Sequence, residues 1–179
     1  IVNQHNVNDS KLMTYNGFTD GGSTDVAAPV HMRGYYGYYS TLLVANPSAT
    51  TDAHVEITYT PDLSRPNVVT TGTVAPVTAS FTIAPQTSLT RHDGPTATDV
   101  QSDLDDAIVY TRFFGSVRVT SDIPVVVLAN QEALASTDAQ GGSYNGVSVA
   151  SGTADIVVPV IMADYYGYYT TMVVQNMTA

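Results

Sequence analysis

The sequence holds no cysteine. Disulfides, thiolate metal sites and cysteine nucleophiles are therefore excluded, although that absence alone does not assign a compartment. Lysine is almost missing as well: Lys11 is the single one, and six basic residues face 16 acidic ones, for a formal net charge of −10. A chain of that sign repels a phosphate backbone and an anionic membrane surface, which argues against nucleic acid and against membrane insertion. Charged residues of both signs make up only 12%, where about a quarter is usual. Solubility then rests on Thr, Ser, Asn and Gln, and the Thr-rich, Lys-poor, acidic balance points to an extracellular setting. No run of 18 apolar residues is present, so no segment reads as a membrane-spanning helix. The opening residues, IVNQHNVNDS, lack the basic and then apolar start of a signal peptide. Any such signal would have been removed or would lie upstream. Residues 26–131 contain no lysine, which leaves no internal Lys–Asn bond there. Stability must come from core burial and from contacts between units.

What the chain does have is a repeat. Residues 26–49, VAAPVHMRGYYGYYSTLLVANPSA, align without a gap with 156–179, IVVPVIMADYYGYYTTMVVQNMTA, and half of the 24 positions are identical. The offset is 130 residues. A second match precedes it: Ile1-Val2-Asn3-Gln4 parallels Leu128-Ala129-Asn130-Gln131, and Tyr15-Asn16-Gly17 parallels Tyr144-Asn145-Gly146. A period of about 130 residues is an ordinary domain size. The chain reads as the end of one unit with its connection (1–25), one complete unit (26–131), an inter-unit connection (132–155) and the first strands of a further unit (156–179). Head and tail together still lack a counterpart of residues 50–127. A window on a longer tandem array explains this arrangement most simply. Exchange of the ends between neighbouring subunits by strand addition is the alternative.

Strand signals dominate. In HVEITYT, Val55, Ile57 and Tyr59 alternate with His54, Glu56 and Thr58, the period-two pattern of a sheet with one buried face. SVRVTS repeats it with Val117 and Val119. IPVVVLANQ and STLLVAN are apolar, β-branched runs suited to central strands. The clusters NPSATTD, TPDLSRPN, APQTS, RHDGPT and TSDIP read as turns. The expectation is an all-β, Ig-like β-sandwich repeat. TDVQSDLDDAI is the one candidate helical turn, with Thr98 or Asp99 as its cap. Residues 132–154 read as a long surface connection, ordered in part by the Tyr144-Asn145-Gly146 turn.

The order of motifs is specific. Asn3-Gln4, Tyr15-Asn16-Gly17, Pro29 with Met32, Tyr35 to Tyr39, Val44 with Asn46, Ile83-x-Pro85-x-x-Ser88, Phe114-Gly115-Ser116, and Pro124 followed by Asn130-Gln131 occur in that sequence. This set resembles a tandem repeat of large secreted cell-surface proteins in filamentous bacteria of the Chloroflexota type, over essentially the whole chain. Two positions depart from the pattern: Pro85-Gln86 stands where Pro-Gly is expected, and Ala45 where Gln175 stands in the second copy. The resemblance implies an extracellular β-sandwich repeat without a catalytic role, serving as a cell-surface fibre, sheath or adhesive stalk.

The tyrosine clusters hold eight of the twelve tyrosines. Tyr35, Tyr36, Tyr38, Tyr39, Tyr165, Tyr166, Tyr168 and Tyr169 are candidates for packing between units or for contact with a glycan, since tyrosine offers flat area and a polar tip. Gly37 and Gly167 permit a turn or bulge between them. Asp99, Asp103, Asp105 and Asp106 form an acidic cluster that could take calcium, although EF-hand spacing is absent. Asp20, Asp25 and Asp155 lie near the joins between units and are weighed for the same ion; no other cofactor is expected. Asn8 in Asn8-Asp9-Ser10 is a glycosylation-type site. His5, His31, His54 and His92 show no metal-ligand spacing, and no nucleophile motif is present. The expected function is structural, by self-association of identical units in a cell-surface filament or layer. The alternative is an adhesin or carbohydrate-binding module acting through the tyrosines.

Overall fold

The computed structural model describes residues 2–6, 11–65, 69–70, 74–94, 110–133 and 141–177. Thirteen strands lie among them. They are β1 (Val2–Asn6), β2 (Lys11–Tyr15), β3 (Ser23–Tyr35), β4 (Tyr38–Ala45), β5 (Ala53–Pro61), β6 (Val69–Thr70), β7 (Val77–Ile83), β8 (Ser88–His92), β9 (Tyr110–Ala133), β10 (Gly141–Asn145), β11 (Val147–Ser148), β12 (Ala163–Tyr165) and β13 (Tyr168–Tyr169). A single 3-10 turn at Val149–Ser151 is the helical content of the described residues. The chain is all-β, as its alternation implies. The candidate helical turn at TDVQSDLDDAI lies outside the described residues.

Strands β3 to β11 form one curled antiparallel sheet. Its spine is β9, 24 residues long. The first half of β9 runs between β3 and β5. The second half runs between β4 and β10. β7 extends the first half beyond β5, and β8 extends the second beyond β4. Partners change around 121–125. There Pro124 has no N–H to give a ladder, and Asp122 turns its carboxylate to accept from the His54 backbone N–H at 2.8 Å.

Alternation decides which face is buried. Ala53, Val55, Ile57 and Tyr59 of β5 point inward while His54 and Glu56 face solvent. STLLVAN alternates too, despite its apolar run from Leu42 to Ala45: Ser40, Leu42 and Val44 are buried, and Thr41 and Leu43 less so. In β9 the odd positions Phe113, Val117, Val119, Val125, Val127 and Ala129 are all buried. The inward face therefore survives the change of partners without a slip. A one-residue slip would expose the whole set, and each fully buried Val or Leu contributes roughly 1.5–3 kcal/mol. The cluster joins both halves of the sheet, with Val26, Ala28, Leu42, Ile57, Val77 and Val127 in one core.

The motif residues hold the connections. Asn46, almost wholly buried, donates from Nδ2 to the carbonyls of Thr51 (2.8 Å) and Ile83 (2.9 Å) and accepts from the Ser48 N–H (2.9 Å). In the Ile83-x-Pro85-x-x-Ser88 turn, Gln86 sits at φ 55°. That is the left-handed position for which glycine is suited, and the reason Pro-Gly is the expected pair. A Cβ on Gly115 would lie 2.1 Å from the Thr60 carbonyl oxygen, so β5 and β9 can approach there only across a glycine.

Residues 141–148 are more than a surface connection. β10 pairs with the end of β9, from Gly141 opposite Glu132 to Asn145 opposite Leu128. β11 pairs with β3, Val147 opposite Ala27. The segment's polar, glycine-rich composition conceals strands whose partners lie elsewhere in the sequence.

Urea unfolding checks two of these assignments. Gln86→Gly is expected to raise stability by about 1 kcal/mol, by relieving left-handed strain. Gly115→Ala is expected to lower it by about 1–3 kcal/mol through overpacking. An unchanged midpoint for Gly115→Ala would refute the close approach.

Candidate functional site

Tyr35, Tyr36, Gly37 and Tyr38 make a two-residue hairpin turn. Tyr36 and Gly37 both have positive φ, 49° and 80°, the signature of a primed turn whose twist matches its strands. Gly34, at φ 61°, marks a bulge, because the register shifts between Arg33 opposite Tyr39 and Tyr35 opposite Tyr38. The Ser40 hydroxyl accepts from the Met32 N–H at 2.9 Å and ties the base of the hairpin. The second copy has the same form. Tyr166 and Gly167 lie at φ 51° and 77°, and Asp164 at 57° takes the place of Gly34. The Thr170 hydroxyl accepts from the Met162 N–H, again at 2.9 Å. The rings of Tyr35 and Tyr36 meet edge-on at 4.8 Å, and those of Tyr165 and Tyr166 at 4.7 Å.

Burial separates the copies. Tyr35 is 7% exposed and packs on Phe114 at 4.9 Å; Tyr165 is 63% exposed. Leu42 and Val44 are fully buried, whereas their counterparts Met172 and Val174 are 55% and 76% exposed. Tyr36 and Tyr166 are exposed in both copies, and Tyr38 and Tyr39 are half-buried. The side chains of Tyr168 and Tyr169 lie outside the described ones.

The other repeat is also structural. In β1 and β2, Val2 lies opposite Tyr15 and Asn3 opposite Thr14. In β9 and β10, Ala129 lies opposite Tyr144 and Asn130 opposite Ser143. The two hairpins share one register. The later one performs a task that the sequence alone does not disclose. β3 bulges between Ala28 and His31, at Pro29-Val30. There the Tyr144 hydroxyl accepts from the Val30 N–H at 3.1 Å and donates to the Val30 carbonyl, which also accepts from Gln131 Nε2 at 3.2 Å. Burial pushes the Tyr144 hydroxyl up to about 12. A proline inside an apolar strand was the available signal, since it implies a bulge whose freed backbone groups need partners.

His31 and Asp93 meet inside the protein, both fully buried, with Nε2 and Oδ2 2.5 Å apart. Tyr59 and Phe113 pack edge-on against the imidazole at 5.0 and 6.2 Å. The carboxylate only accepts, so Nε2 carries the proton. The nearby Ser40 hydroxyl is engaged by Met32. This buried pair braces the β4–β8 edge, since the Asp93 N–H also donates to the Ser40 carbonyl at 3.1 Å. The scattered histidines in the sequence did not suggest it, because its partners lie 62 residues apart.

Asp99, Asp103, Asp105, Asp106 and Asn8 lie outside the described residues. Of the acids near the joins, Asp25 accepts two hydrogen bonds from Arg118, at 2.8 and 2.7 Å. That guanidinium holds the Asp25 carboxyl below its ordinary range. Among the described residues, no three acidic or histidine side chains gather as a metal site. Between the central unit and the last described residues runs a cleft of about 480 Å³, bordered by Thr60, Arg65, Phe114, Arg118, Val149 and Met172.

No family model and no curated protein matches the sequence. The chain is similar in fold to the crystal structure of Thermotoga maritima 1070, at 18% identity and a TM-score of 0.51, over 72% of this chain and 97% of that one. The likeness concerns fold alone. Its extent, about 129 of 179 residues when 72% is taken, is close to one repeat period.

Two substitutions test these contacts. Tyr144→Phe strips the Val30 N–H of its hydroxyl partner and leaves the Val30 carbonyl to Gln131; it is expected to lower stability by about 1–3 kcal/mol. The folded hydroxyl titrates higher than the unfolded one, so its stabilisation is complete below pH 10 and is lost as pH rises toward 12. Urea midpoints of the unaltered chain should fall across that window, and those of Tyr144→Phe should fall less. His31→Ile, which copies Ile161 of the second repeat, is expected to lower stability by roughly 3–5 kcal/mol by removing the imidazole that pairs with the buried Asp93 carboxylate. Adding Asp93→Leu should recover most of the loss; a double variant as unstable as the single one would contradict the pairing.

Proposed function

We propose that this chain is a structural repeat of an extracellular cell-surface filament, sheath or surface layer, acting by head-to-tail packing of β units. The observation that carries the reading is the recurrence of one hairpin geometry at a spacing of 130 residues, enclosed in one copy and open in the other. A segment that folds the same way twice but is buried once belongs to a series in which each unit completes its own core. Contacts along the chain support such a series. β2 runs beside β10, and Asn145 Nδ2 donates to the Asn16 carbonyl at 2.8 Å. On the other side, Met172 to Met177 border the cleft against Thr60, Phe114 and Arg118. The acidic, lysine-poor composition and the Chloroflexota-type resemblance support placement outside the cell.

A second reading draws on Tyr36, Tyr165 and Tyr166, which present exposed rings. Flat aromatic faces of that kind suit a glycan, and the chain would then serve as an adhesin or carbohydrate-binding module.

Electron microscopy and small-angle scattering of polypeptides carrying increasing numbers of the period test the first reading. The long dimension should grow in proportion to copy number, and particles of constant shape would overturn it. Saturable glycan binding that Tyr36→Ala abolishes, with the fold kept, would establish the second.

A further inference from the structure

The two ends of this chain carry the two halves of one strand junction. In the central unit, β4 pairs with the end of β9, so that Leu42 lies opposite Ala129, Thr41 opposite Asn130 and Ser40 opposite Gln131. The sequence copies β4 in residues 168–175, at a spacing of 130, and copies the end of β9 in β1, at a spacing of 127. Both copies keep the local geometry of their originals: one the hairpin angles and the Met162–Thr170 bond, the other the register against β2. Yet β13 pairs only with β12, and β1 only with β2, among the described residues. β13 ends at Tyr169 and residues 170–177 are not in a strand, so neither copy makes the ladder that joins β4 to β9.

We propose that the segment 156–177 of one copy docks on β1, β2 and the adjoining Phe18 of a second copy of this chain, in the register of the β4–β9 junction. Met172 then lies opposite Val2, Thr171 opposite Asn3 and Thr170 opposite Gln4. The exposed apolar side chains find one another. Val2 and Met172 become neighbours, and Phe18 meets Val157, as Val147 meets Ala27 in the central unit. Tyr15, the counterpart of Tyr144, reaches the carbonyl of Val160, the counterpart of Val30. Main-chain pairing supplies affinity and the apolar pairs supply register. The contact is heterologous, so it generates a line of copies rather than a closed pair. This inference rests on the filament reading and specifies its joint.

Disulfide trapping tests it cleanly, because the chain has no cysteine of its own. Asn3→Cys and Thr171→Cys are made in separate full-length chains, and circular dichroism checks that each keeps its β signal. The two are mixed in a glutathione redox buffer. Antiparallel neighbours have Cα atoms about 4.5–5.5 Å apart, within disulfide reach. The mixed disulfide should exceed each homodimer by about tenfold, as pairing raises the local concentration of the two thiols. Asn6→Cys mixed with Thr171→Cys is three residues out of register and should give no excess. Equal yields from all combinations, or no mixed product, would overturn the proposal. Growth of tandem polypeptides into rods would be untouched by that failure, because there the following unit covers the segment within one polypeptide.

Discussion

A strand that serves two halves of a curled sheet has to bend while keeping one face turned inward. β9 meets that demand, and the remaining architecture follows from it. Its inward face is buried at Phe113, Val117 and Val119 before the change of partners and at Val125, Val127 and Ala129 after it, so β3 and β5 can be added to the first half and β4 and β10 to the second without conflict over which face is apolar. The bend needs Pro124, which offers no donor, and Asp122, whose carboxylate takes the His54 amide instead. Away from the bend, Gly115 lets β5 approach β9 where a side chain would strike the Thr60 carbonyl.

The second dependency is the bulge at Pro29-Val30. An interrupted ladder leaves a peptide N–H and carbonyl to be satisfied, and an unpaired buried group is destabilising by about 1–3 kcal/mol. Tyr144 and Gln131 meet that need from the far end of the unit. The motifs Asn-Gln, Tyr-Asn-Gly and Pro-x-x-Met therefore belong together: they are the parts of one lock, contributed by strands more than a hundred residues apart. Their reappearance at both ends, with the hairpin of β1 and β2 in the same register as that of β9 and β10, extends the sequence repeat into three dimensions.

The paired tyrosine hairpins separate local from tertiary causes. Tyr-Gly at the turn, a left-handed residue before it and a hydroxyl immediately after the cluster reproduce the same backbone whether the hairpin is enclosed or open. Burial is another matter. Tyr35 is sheltered by Phe114, and nothing of that kind covers Tyr165 among the described residues. The side chains that make a core in one copy are therefore available for contact in the other.

Alternating residues such as those in HVEITYT, the turn clusters and the 130-residue recurrence made the strands and the unit visible in the sequence, because period-two burial and turn chemistry act between near neighbours. The glycine-rich stretch at 141–148 did not reveal β10 and β11: β10 forms a hairpin with the end of β9 but carries no apolar alternation, and β11 pairs with β3, far away in the chain. The same holds for the lock on Val30, for the His31–Asp93 pair and for which tyrosines are covered. Each joins groups distant in sequence, and only the folded sheet brings them within hydrogen-bonding or packing range. By itself the sequence determined the class of structure and its period. Tertiary packing decided which faces are closed and which stay exposed, because burial depends on strands that only the fold brings together.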